Sequence, residues 1–331
     1  MATKKLRQVM YDPRNGGEPI RLQEIPLTEQ VLQPARTNYF SIYLVQSGSG
    51  NFWADAARFP FGPNSLLFFV PYQQIRLEPV KPVQGKLIQF HANFLCVETF
   101  HVETGCSGAL FNDPYRVPLV QMDASTRREI MDLVERIQRE DAGRQTAYQE
   151  VMLASLKVLL ILATRLKTST AASMASGGLD MRNPLIVQLK ELIEENYQRL
   201  HSPSDYARLL HMTPKTLGRI VRDNFGTTPT ELIRGRILAH AKWQLLHTLR
   251  PVKEIAREVG FKDELYFSRL FKKATGLSPT FFREFETEIR GGSNLSMPLS
   301  KSTIPESGAA SNTDSRSAQS QSKRKSTRAR T

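Results

Sequence analysis

The side chains best suited to chemistry in this sequence are two sets of hydrogen-bonding residues spaced as on helices. Lys215, Arg219 and Arg222 fall at i, i+4 and i+7, on one outward helical face. Glu264, Leu265, Ser268 and Arg269 form the second set, with Arg269 fifty residues after Arg219. A guanidinium matches the two acceptors of guanine, and a carboxylate can accept from a cytosine amino group. Both sets are therefore suited to reading base edges in duplex DNA. Thr213, at a helix start, and Lys262, Lys272 and Lys273 stand beside them as candidates for phosphate contacts. The bland alternative for each is an exposed helical residue facing water. The helices that carry these residues weigh against it.

Arg250 to Arg283 reads as two short helices joined by a tight turn. Val252, Ile255, Ala256 and Val259 recur at helical spacing, and Gly260 breaks the helix where a left-handed residue is cheap. Asp263 is a plausible N-cap for a second helix that carries Phe267, Leu270, Phe271 and Ala274 on one stripe and polar, basic residues on the other. The same pattern begins earlier, at Ser202. Arg219, Gly226 and Pro229 precede Arg269, Gly276 and Pro279 by the same fifty residues, and Leu217, Ile220 and Val221 stand for Phe267, Leu270 and Phe271. The repeat implies two tandem helix-turn-helix units, joined by one helix over residues 231–249.

The span from Arg182 to Arg290 resembles the DNA-binding module of AraC/XylS-type bacterial transcription regulators. The resemblance is carried by the two units and by the run Arg236, Ile237, Ala241, Leu245 and Leu246. Glu254 to Phe261, Tyr266 to Lys273, and the stretch closing on Arg283 carry it further. One departure stands out: Gly218 occupies a position where this family often has a base-contacting side chain. Either the helix backbone approaches DNA closely there or the first unit reads fewer bases.

Charge distribution agrees. The chain has 331 residues and a net charge of +13. Residues 1–181 hold 19 Lys and Arg against 17 Asp and Glu, residues 182–290 hold 19 against 13, and residues 291–331 hold 7 against 2. The excess sits where a polyanion partner requires it.

Residues 1–36, rich in Pro and Gly, read as an irregular arm or short edge strands. From Tyr39 short β-branched and aromatic runs alternate with turn signals, including Gly48 to Gly50 and Gly62 to Asn64. They argue for an all-β barrel or sandwich. The resemblance specifies a cupin-like barrel here, with a small-molecule effector. Phe40, Tyr43, Phe52, Trp53, Phe69 and Phe90 are candidates to line its pocket, and core packing explains them equally well. Metal cupins carry a His-x-His pair and a Glu, but residues 48–79 contain no histidine. His91 and His101 are isolated, and Cys96 and Cys106 have no paired His nearby. No metal, cofactor or catalytic residue is expected.

Residues 123–139 and 145–166 read as helices, and the second is apolar on nearly every side. One face can cover the barrel. In the resembled family this position forms a dimer contact, which assigns Val151, Met152, Leu156, Leu159 and Leu160 to a homodimer interface; the alternative is burial within its own domain. The expected fold is thus multidomain α and β. Residues 1–120 form a cupin-like β domain with its arm, 121–167 dimerisation helices, 168–181 a linker, 182–290 an all-α tandem helix-turn-helix domain, and 291–331 a disordered basic tail. The N-terminus is too polar for a secretory signal, and no run reaches the ~18 apolar residues of a membrane span. A cytoplasmic, nucleoid-associated protein is expected, not an enzyme. The expected function is sequence-specific transcription regulation, with duplex DNA, a second copy and RNA polymerase as partners. The alternatives are a non-specific nucleoid-type DNA binder and a cupin enzyme with a regulatory DNA-binding domain.

Overall fold

The computed structural model describes residues 10–97, 110–111, 117–173 and 184–290. Cys106, His101, residues 174–181 of the expected linker and the 291–331 tail lie outside them.

The N-terminal half is a six-stranded sheet: β1 (Ile20–Thr28), β2 (Phe40–Ala54), β3 (Ala57–Phe61), β4 (Ser65–Phe69), β5 (Ile75–Phe90) and β6 (Leu119–Gln121). The strand order is β1-β5-β2-β4-β6, with β3 paired to β2, and every pair is antiparallel. Here the expected turn at Gly48 to Gly50 is corrected. β2 runs through it for 15 residues and pairs with β5 from Phe40↔Phe90 to Ala54↔Ile75. The glycines serve bulges instead. A Cβ on Gly48, whose φ is 89°, would lie 2.2 Å from the Pro82 carbonyl oxygen, and one on Gly50 would lie 2.3 Å from that of Glu78. Register shifts between Val45 and Gly50 absorb the extra residues and leave Pro79 and Pro82 where a strand tolerates them.

Alternation along the strands gives the sheet two apolar faces. Ile42, Leu44, Leu66, Phe68, Ile88 and Phe90 pack against two helices, α1 (Ala124–Gly143) and α2 (Tyr148–Ser173). Tyr43, Val45, Phe52, Leu67, Phe69 and Leu77 form a second cluster on the other face. Asp123 starts α1 by accepting from the amides of Ser125 and Thr126 at 3.0 and 2.8 Å. α2 continues to Ser173, so the first residues of the expected linker are helical.

The C-terminal half is all helical: α3 (Pro184–Asn196), α4 (Pro203–Leu209), α5 (Pro214–Phe225), α6 (Pro229–His247), α7 (Val252–Glu258), α8 (Glu264–Thr275) and α9 (Pro279–Ile289). Helices α4 and α5 form the first unit, α7 and α8 the second, and α6 connects them. Prolines stand at the first turns of α4, α5, α6 and α9, where the missing amide costs nothing. Gly226 and Gly276 end α5 and α8 in left-handed conformation, at φ 61° and 86°.

Candidate nucleic-acid interface

Helix α5 begins because the Thr213 hydroxyl accepts from the Thr216 amide at 3.1 Å. Leu217, Val221 and Phe225 are buried on its inner face, while Lys215, Arg219 and Arg222 are exposed on the outer one. Helix α8 begins where Asp263 accepts from the Leu265 amide at 2.8 Å. It buries Phe267, Phe271 and Thr275, and the Thr275 hydroxyl donates to the Phe271 carbonyl at 2.9 Å. Arg269, Lys272 and Lys273 are exposed, and so is Lys262 in the turn before the helix. Each unit thus packs an apolar stripe inward and turns a cationic face outward.

Lys215, Arg219, Arg222, Leu265 and Arg269 share the outward faces; Glu264 and Ser268 are only half exposed. The Thr213 hydroxyl is already committed to the helix cap and to the Thr216 hydroxyl at 2.9 Å, so it offers a phosphate less than a free group would. Carboxylates of this half pair with other cations: Asp205 with Arg208, Glu231 with Arg234, Glu194 with Arg236, and Glu254 and Glu258 with Arg250. None of these pairs takes an outward cation of α5 or α8.

Tyr266, which has no place among the sequence candidates, is 50% exposed beside Leu265 at 73%. Both lie open to water near the start of α8. A separate set of side chains fixes α3 and α7 to α6. The Arg236 guanidinium lies 4.2 Å from the Tyr197 ring centroid and 2.7 Å from Glu194. The Tyr197 hydroxyl meets His240 at 2.8 Å, and Gln244 donates to Glu258 at 2.9 Å. Burial, the larger effect, pushes His240 down and outweighs the pull of Glu258. Arg283 donates to the carbonyls of Leu245 at 3.2 Å and Arg250 at 2.6 Å, satisfying backbone at the end of α6. Its place at the close of the repeat was the available signal.

The candidate effector residues do not converge. Tyr43, Phe52 and Phe69 are buried together on one face, with Tyr43 to Phe69 at 5.5 Å and Phe52 to Phe69 at 5.7 Å, both edge to face. Phe40 and Phe90 stack at 5.3 Å on the opposite face, against the helices, because their positions alternate with that of Tyr43. Trp53 is half-buried, with Arg58 and Arg76 at 5.2 and 4.8 Å from its ring. Phe40 and Phe90 are therefore removed from any pocket on the Tyr43 side.

The dimer assignment is corrected too. Met152, Leu156, Leu159 and Leu160 are at most 1% exposed, packed within their own domain against the sheet and α1. Helix α2 is apolar all round because the sheet and α1 cover it from two sides. Val151 is half-buried and Val158 is 45% exposed. A cleft of about 520 Å³ runs along the outer side of α1 and α2, lined by Glu129, Asp132, Leu133, Arg136, Val158 and Leu162 among others. Among the described residues no cluster of three or more His, Cys, Asp or Glu could hold a metal ion, and no helix is long and apolar enough to cross a membrane.

Comparison with known proteins matches both halves. Residues 206–284 match the family described as a helix-turn-helix domain, and residues 19–156 match the AraC-like ligand binding domain. The chain is 31% identical over 105 residues to the lactose operon transcription activator of Staphylococcus xylosus, covering 32% of this chain and 38% of that protein. It is 39% identical over 72 residues to the arabinose operon regulatory protein of Escherichia coli strain K12, covering 22% and 25%. It is 25% identical over 195 residues to the transcriptional activator RhaR of Klebsiella pneumoniae, covering 57% and 66%. The aligned stretches span less than two thirds of the length of these relatives.

Proposed function

We propose that this chain, which belongs to the AraC/XylS-type regulators by both of its domains, is a sequence-specific, effector-controlled transcription regulator. The observation that carries the reading is the pair of units with exposed Arg219 and Arg269 over buried apolar stripes. Lys215, Arg219, Arg222, Leu265 and Arg269 read bases, and Glu264 and Ser268 contribute where their half-exposed faces reach. Lys262, Lys272, Lys273 and the start of α5 at Thr213 hold phosphates. The effector enters the side of the sheet lined by Tyr43, Phe52 and Phe69. A second copy docks on the outer cleft of α1 and α2 near Val158 and Leu162. RNA polymerase is the remaining partner, in the cytoplasm on the nucleoid, and the chain performs no catalysis of its own.

Selection from a random duplex pool by the full chain tests this. Recovery of one motif, bound ~10³-fold or more tighter than scrambled DNA, is expected. Equal binding to all sequences would instead identify a non-specific DNA coater.

A further inference from the structure

The fifty-residue offset that relates the two units breaks at the ends of α5 and α8. The last turn of α8 carries Lys272 and Lys273. The matched positions in α5 hold Arg222 and Asp223, so an exposed acid takes the place of the second cation. A helix C-terminus is already a poor neighbour for a phosphate, because its free carbonyls carry partial negative charge. The first unit thus lacks, within its own sequence, a charge that the second has at this place.

The β half brings one there. β3 pairs only with β2, and its free edge lies against the end of α5, where the Arg58 amide donates to the Gly226 carbonyl at 3.1 Å. Gly226 follows Arg219 by seven residues and Arg222 by four, which puts it on the same helical stripe as those exposed cations. A Cβ on Gly226 would lie 2.5 Å from the Arg58 carbonyl oxygen and 3.2 Å from the Phe59 ring, so the strand abuts the C-terminal end of that stripe. Strand register decides where the side chain points. Trp53 stands opposite Arg58 on β3 and opposite Arg76 on β5, so the three share one face of the sheet. Their neighbours Phe52, Phe59 and Leu77 are buried on the other face, in the inner cluster. Arg58 is exposed, and its guanidinium stacks over Trp53 at 5.2 Å. Among the described residues no carboxylate pairs with it. Arg76 stacks on the same ring at 4.8 Å, but from the far side of β2, and Glu78 engages it at 3.3 Å.

We propose that Arg58 is a phosphate contact contributed by the β half: it supplies positive charge at the end of α5, where Asp223 supplies none, and holds the duplex backbone flanking the first unit. This rests on the reading of the chain as a DNA-binding regulator. Duplex DNA is the occupant because the Arg58 charge continues the stripe of Arg219 and Arg222, and phosphates line the groove on either side of a helix seated in it. The Gly226 carbonyl, which would repel a phosphate, is already taken by the Arg58 amide. The second unit needs no such help, since Lys272 and Lys273 stand at its own helix end.

The test uses the full chain and a duplex enriched from a random pool, with binding read by fluorescence anisotropy over a salt series. Loss of one phosphate contact lowers the salt slope by about 0.9, which weakens binding roughly fivefold near 0.15 M salt. Arg58→Gln is expected to do both, equally on the enriched and on a scrambled duplex, while Arg58→Lys keeps the slope. Arg58 is exposed, so neither variant should shift the melt. Arg76→Gln removes the same charge on the far side of β2 and is expected to leave the slope unchanged. Ethylation interference on the enriched duplex should lose one phosphate position in Arg58→Gln, beside the base whose preference relaxes in Arg219→Ala. Equal slopes for wild type and Arg58→Gln overturn the contact, as does tighter binding by Arg58→Gln. An equal drop in Arg58→Gln and Arg76→Gln overturns it too, since that reports net charge and not a contact. A wild type that binds scrambled DNA as well as the enriched duplex ends the reading as a sequence-specific regulator, and a lower slope in Arg58→Gln alone then still upholds the contact. A wild type that binds no duplex ends both.

Discussion

The two helix-turn-helix units share a scaffold and differ in what they show. Both place a buried triplet at matched positions, Leu217, Val221 and Phe225 in α5 and Phe267, Phe271 and Thr275 in α8. Both expose an arginine at the same step, Arg219 and Arg269. Around that arginine they diverge. Lys215 and Gly218 in the first unit stand where Leu265 and Ser268 stand in the second. The second unit is held by an aromatic core, Phe267, Phe271, Phe282 and Phe285, with ring pairs at 5.9 and 5.4 Å. The first is mainly aliphatic at the equivalent places. The positions that fold the unit match between the two and the outward ones differ, as expected if the two halves of a site differ in sequence.

The largest effects test the cores. We predict that Phe267→Ala costs about 3–5 kcal/mol and that Leu217→Ala, at the matched position, falls in the range of about 2–5 kcal/mol and below it. Denaturant melts of the full chain measure both. A Leu217→Ala cost equal to or above that of Phe267→Ala would show that the aromatic core adds no stability of its own.

Next come the arginines. Arg269 lies opposite the buried phenylalanines, so Arg269→Ala should leave the melt intact. We predict a loss of about 1–3 kcal/mol on the selected site, with relaxed preference at one base position. Arg219→Ala should do the same about one helical turn, ~34 Å, away. Lys272→Ala should weaken all sequences alike and lower the salt slope by about one. If Arg269→Ala and Lys272→Ala act alike on cognate and scrambled DNA, the division between reading and holding collapses.

Much of this scaffold was legible in the sequence because its signals are local. Thr213 and Asp263 cap their own helices, and Gly226 and Gly276 end them, within a few residues of where the pattern stands. The β half was less legible because its signals are ambiguous. Gly48 and Gly50 read as a turn, yet they admit a close crossing of β5 that only the paired strand makes necessary. Helix α2 looked like a dimer face because burial by the same domain and burial by a second copy write the same apolar pattern. Arg58 carried no signal of its own, a lone basic residue in a short strand. Its partner Gly226 lies in the other half of the chain, beyond the reach of any periodicity argument.

A smaller effect separates the outward faces. Leu265 is 73% exposed, so its removal costs the fold little. We predict that Leu265→Ala weakens binding by about 1 kcal/mol and relaxes preference for a thymine, whose methyl group an apolar side chain can touch. Lys215→Ala, at the matched position in α5, should show salt sensitivity instead. Two identical salt profiles would mean that these positions contact the duplex in the same way and that the contrast between the units is only one of stability.

The smallest effect concerns Gly218, and it decides how the first unit reads. A Cβ built there meets nothing within 4 Å, so packing within the protein does not require glycine. Glycine in a helix interior costs about 0.5–1 kcal/mol relative to alanine, through the backbone freedom lost on folding. Gly218→Ala should therefore stabilise the chain by about that amount in a denaturant melt. Its effect on DNA binding then has a clear sign. If the duplex backbone approaches α5 closely at Gly218, the added methyl group collides with it, and affinity falls for every sequence although the protein is more stable. If affinity holds, the position is open in the complex, and Gly218→Ser, matching Ser268, should restore a base contact and add a sequence preference in the first half of the site. Site-selection profiles of the two variants distinguish these outcomes. A gain in stability with neither lost affinity nor new preference would place Gly218 outside the contact surface, leaving Arg219 and Arg222 to read on their own.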